Sequence, residues 1–147
     1  GLKLIRQKLL PLLPGNENDR LDIINASTAA NKIINLFIKD RNFHDAYHIV
    51  SSLKSPTISD LVNIACQNDK NHIRFCGDLE TFAKEVEKIV KVNPKIGLIY
   101  HKISSFIPEL AFPKIFIDQN VKEELGHTED GCGLEGLINE VLNNPNY

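Results

Sequence analysis

The sequence predicts an all-α protein: an irregular bundle of about six to eight helices with a proline-rich buried connector. Three observations predict it. Apolar residues recur at three- and four-residue spacing in segment after segment from Leu2 to Leu142, the pattern of a helix with one apolar side. Cap-forming residues such as Thr57, Ser59 and Asp78 stand just ahead of several segments, where a side-chain oxygen can take a free backbone N–H. Only Ile115–Ile117 hints at a strand, and a lone strand leaves its backbone groups without partners.

Taken in order, Leu2–Leu10 reads as a short first helix, stopped by Pro11 and Pro14 and too short to hold without a partner surface. The run from Pro14 to Asp19 is a loop. From Leu21 to about Lys39 the apolar positions 23, 26, 30, 33, 34 and 37 mark an amphipathic helix, within which Ser27 can cap a second start. Phe43, Ala46, Tyr47, Val50 and Leu53 place a further helix over Asn42–Ser52, broken at Pro56. Thr57 or Ser59 then caps a short helix through Leu61, Val62 and Ala65. Gln67–Gly77 is polar and reads as irregular. Asp78 caps Leu79–Val92, Asn93-Pro94 ends that helix, and Ile96–Ser105 forms the next. Phe106–Ile117 is apolar but carries Pro108 and Pro113, so it reads as the buried, partly extended connector. Gly126–Gly133 is a polar loop. Leu134–Asn143 is a final helix with Leu137, Ile138, Val141 and Leu142 inward.

The 147 residues suit one domain, able to bury roughly 70% of its unfolded surface. A formal charge of −2 provides no basic field for nucleic acid or anionic lipid, so nucleic acid is not an expected partner. Cys66, Cys76 and Cys132 are an odd set without a close pair, which favours reduced thiols and a cytoplasmic setting. No apolar run reaches the ~20 residues of a membrane span, so no transmembrane segment is expected. The chain lacks methionine altogether and is read as a single helical domain over residues 1–147, cut from a longer protein.

The candidates for covalent chemistry are thin. His44 and His48 sit four apart, as in the zinc-binding HExxH motif, but Asp45 stands where the general-base Glu belongs and no third ligand follows. They read as surface or boundary histidines. His72, Cys76 and Cys66 lack the spacing of a structural zinc site, and cysteine packs readily as a small hydrophobe. His127 and Cys132 share a loop in which nothing positions a base against the thiol. No phosphate-cradling GxxxxGK[ST] motif occurs. Lys84, Glu85, Glu87, Lys88 and Lys91 form a solvated helix face. No metal, no cofactor and no covalent catalytic site are therefore expected.

One set of residues is more specific. Asn42-Phe43, Ile49 to Ser55, then Ile58 and Leu61 resemble the signature of the RasGEF catalytic domain family, where such a run forms a core helix, a turn and the next helix. Tyr100-His101-Lys102 followed by Ile107-Pro108-Glu109-Leu110-Ala111 is similar to a downstream segment of that family, and Gly136-Leu137-Ile138-Asn139 to a motif before a late helix. The three matches keep their order over about two-thirds of the chain. Ala111 stands where the family has Gly, Glu140 where it has Phe, and the acidic residue before the last motif is shifted to Glu135. The resemblance implies an all-α fold, a small Ras-like GTPase as partner, and nucleotide exchange achieved by binding alone. It also implies a wedging helical hairpin around Asn120–Asn143, with Glu135, Leu137 and Asn139 as partner-binding residues; here that region is short and glycine-rich. The alternative is a non-catalytic helical module for protein interaction or targeting. A pair of long C-terminal helices would point to exchange, a short loop to the adaptor role.

Overall fold

The computed structural model describes residues 1–41, 43–66, 73–126 and 134–144, with the side chains of residues 134, 135 and 137 outside the description. The best-capped segments form the helices that their sequences predict. At the start of α3 (Ile58–Ala65) Thr57 and Asp60 close a reciprocal capping box: the Thr57 hydroxyl accepts from the Asp60 N–H at 3.0 Å, and the Asp60 carboxylate from the Thr57 N–H at 2.9 Å. Asp78 accepts from the Thr81 N–H at 2.7 Å and opens α4 (Leu79–Val92). Pro94 occupies the first turn of α5 (Pro94–Lys102), where its missing N–H costs nothing.

The core forms around α3, which buries Ile58, Leu61, Val62 and Ala65 on one side. Two terminal helices pack on it: α1 (Leu2–Arg6), which contributes Ile5, and α8 (Leu134–Asn143), which contributes Ile138 and Leu142. In the same core, α4 and α5 place Phe82 edge-on to Tyr100, ring centres 5.7 Å apart.

A parallel strand pair crosses this core, against the all-α expectation. β1 (Leu12–Pro14) is wholly buried and runs beside β2 (Arg74–Cys76) with Leu13 opposite Phe75. The polar segment before Asp78 thus ends in a strand; residues 67–72 of that segment lie outside the described residues. So short a pair persists because neighbouring groups complete its hydrogen bonds. Arg74 N–H donates to the Pro11 carbonyl and Gly15 N–H to the Cys76 carbonyl, and the Tyr100 hydroxyl serves the free edge of β1.

Two further expectations are corrected. Residues 43–51 form no helix, and only a single 3-10 turn follows at Ser52–Lys54; Asn42 lies outside the described residues. The reason is competition for backbone groups: Asp22 takes the Ser51 N–H and Asn120 donates to the Ala46 carbonyl, alongside contacts from Glu124 described below. The proline-rich stretch is not a buried connector either. Ser104–Phe106 is a 3-10 turn, and Pro108 sits in the first turn of α6 (Ile107–Ala111), the helix position that tolerates it. Beyond it Phe112, Phe116 and Ile117 are exposed. The hint of a strand at Ile115–Ile117 does not materialise. Among the described residues no helix is long and apolar enough to cross a membrane.

Candidate functional site

The outer face of one helix stands apart from the rest of the molecule. α2 (Ala26–Phe37) begins at Asn25, whose side chain accepts from the N–H groups of Ser27 and Thr28 at 2.8 and 3.2 Å. The cap is therefore Asn25 rather than Ser27, and the helix starts five residues later than the apolar spacing suggests. Its inward positions are Lys32 and Leu36, both buried. Its apolar stripe points the other way: Ile33 and Ile34 are each 54% exposed, Phe37 86%, and Ile38, the residue that closes the helix, 69%. An isolated exposed Ile needs no explanation; four large apolar side chains adjoining on one helix face do.

The inward side of α2 is held by a charged hub. α2 packs on α7 (Gln119–Leu125), where the Glu124 carboxylate is fully sequestered. One of its oxygens lies 2.8 Å from Lys39 Nζ, and the other accepts from the Phe43 N–H at 2.9 Å and the Tyr47 hydroxyl at 3.0 Å. The Tyr47 oxygen in turn accepts from the His44 N–H at 3.1 Å. The Lys39 hydrogen bond, then that of the Phe43 N–H, hold the Glu124 carboxyl down to about 2. Lys32, the one lysine of α2, is turned inward and buried, and just past the helix end Lys39 reaches the sequestered Glu124 carboxylate.

The same hub decides the fate of the histidines. With residues 43–51 non-helical, His44 and His48 do not share a helix face. His44 Nε2 pairs with Glu123 at 3.0 Å, while the exposed His48 ring lies 5.2 Å from that of Phe116. Among the described residues no group of three or more His, Cys, Asp or Glu could hold a metal. Cys66 and Cys76 are half-buried and outside any disulfide, and burial pushes the Cys76 thiol up, away from the thiolate that a nucleophile needs. His72, His127 and Cys132 lie outside the described residues.

Of the three residues that the resemblance assigns to partner binding, Asn139 is exposed on α8, and the side chains of Glu135 and Leu137 lie outside the description. Their helix is anchored through Ile138 and Leu142, as expected, whereas Val141 is 38% exposed. The α2 face was legible in the sequence as a stripe; its orientation was not. No protein-family model, curated protein or solved structure matches the chain.

Proposed function

We propose that this chain is a helical protein-binding domain that acts by noncovalent contact, with the outward face of α2 as its working surface. The observation that carries the reading is the inverted helix. An amphipathic helix that buries Lys32 while holding Ile33, Ile34, Phe37 and Ile38 in water loses apolar burial that only another surface can restore. Exposed apolar side chains on a well-capped helix are what an apolar groove on a partner recognises.

The narrower reading, exchange on a small Ras-like GTPase, rests on the resemblance of residues 42–61, 100–111 and 136–139. An exchange factor binds the nucleotide-free GTPase more tightly than the loaded form, which by linkage weakens nucleotide binding and needs no nucleophile. The described helices near the C-terminus favour the adaptor over exchange. α7 has seven residues and α8 ten, and α8 spends Ile138 and Leu142 on the core.

Both readings are tested together. A panel of Ras-like GTPases, nucleotide-free and GDP-loaded, is titrated calorimetrically with the chain and with its I34E/F37E variant, while release of a fluorescent nucleotide is followed. Binding that the variant loses, without faster release, supports the adaptor; faster release supports exchange. A partner bound equally by chain and variant overturns the assignment of α2.

A further inference from the structure

We propose that the first occupant of the α2 face is a second copy of this chain, docked through an antiparallel, two-fold pairing of α2 with α2. The inference rests on α2 being a contact surface and adds what it contacts.

Three features point to self-association. The first is charge. The only ionisable side chain within α2 is Lys32, which is turned inward and buried, so the outward face neither attracts a charged partner nor repels its own copy. The second is the symmetry of the stripe. About a point midway between Asn35 and Leu36, Ile33 mirrors Ile38 and Ile34 mirrors Phe37. A two-fold axis through that point sets every member of the stripe against another member, the self-complementarity that an isologous contact requires. The same axis carries Asp40 to the neutral Asn31 of the second copy and sets the two helix dipoles antiparallel. A parallel pair would instead bring Asp40 to Asp40 and Arg41 to Arg41.

The third feature sets the strength. At roughly 60–120 Å² of apolar area for each large side chain buried from full exposure, and with the four still 54%, 54%, 86% and 69% exposed, they offer about 160–320 Å² per copy. A stable standard-size interface buries about 800 Å² per partner. The pair is thus a weak, concentration-dependent dimer rather than an obligate one, and it leaves the face open to exchange for another partner.

Sedimentation of the chain from about 5 μM to about 500 μM tests this, a range that brackets the micromolar constants of small interfaces. The weight-average mass is expected to climb from the monomer's 16.5 kDa toward twice that value. I34E and F37K, each alone, are expected to weaken association at least tenfold with unchanged circular dichroism. Their equimolar mixture should recover it, because only the antiparallel pairing sets position 34 of one copy against position 37 of the other. A chain that stays monomeric throughout overturns the proposal, as does a mixture no stronger than its components. Neither result touches the broader reading of α2, which falls only if a bound partner ignores I34E/F37E.

Discussion

The hydroxyl of Tyr100 both donates to the carbonyl of Leu12, at 2.8 Å, and accepts from its N–H, at 3.1 Å. One side-chain oxygen thereby does for the open edge of β1 what a third strand would do. Y100F deletes both contacts and leaves two buried backbone groups without partners. The variant is expected to lose about 1–3 kcal/mol in urea unfolding. Burial pushes the Tyr100 hydroxyl up to about 12 from an ordinary 10.0, so its contribution is complete below pH 10 and is lost as pH rises through 12. Y100F should lack that part of the alkaline loss.

Glu124 ties residues 39, 43 and 47 to α7. Its carboxyl is held at about 2 against an ordinary 4.5, so its stabilisation is present above pH 4.5 and is lost as pH falls toward 2. Melting temperature followed through that window should fall more steeply for the parent than for E124Q. At neutral pH E124Q should melt several degrees lower, because a neutral amide cannot pair with Lys39. Equal melting temperatures at pH 7 would remove Glu124 from this role.

The Thr57–Asp60 box is the one reciprocal cap among the described helix starts, and it opens the helix at the centre of the core. T57A should cost about 1 kcal/mol in chemical denaturation, the usual loss for such a cap. T57S, which keeps the hydroxyl, should recover most of it.

Gly15 has φ +86°, and a Cβ built there would lie 2.4 Å from the Leu110 carbonyl oxygen. Both the left-handed backbone and the backbone-to-backbone approach exclude a side chain. G15A is expected to lose more than about 1 kcal/mol, and hydrogen exchange should show the loosening first at α6. A G15A protein as stable as the parent would show that α6 can move aside.

Where a segment carries its own start and stop signals, its structure was legible. α4 has Asp78 before it, a regular stripe within and Asn93-Pro94 after, and it forms over the residues that those signals delimit. The stripe over residues 43–53 has as good a periodicity and no such cap, and there the groups brought in by Asp22, Asn120 and Glu124 outbid the helix. The pairing of β1 with β2 joins residues about sixty apart and depends on Tyr100 from a third element, so no local pattern announces it. At the candidate site the sequence shows which α2 residues share a face. It does not show which face looks inward.

By itself, then, the sequence determined the mostly helical class, the Asp78 cap of α4, a cap at Thr57 or Ser59 for α3, and the grouping of Ile33, Ile34 and Phe37, because spacing and capping are local properties of a chain. Only the tertiary structure decided that this group faces solvent. A buried carboxylate demands a cation more strongly than one helix demands burial of its stripe, and Glu124, eighty-five residues from Lys39, reaches it only in the fold.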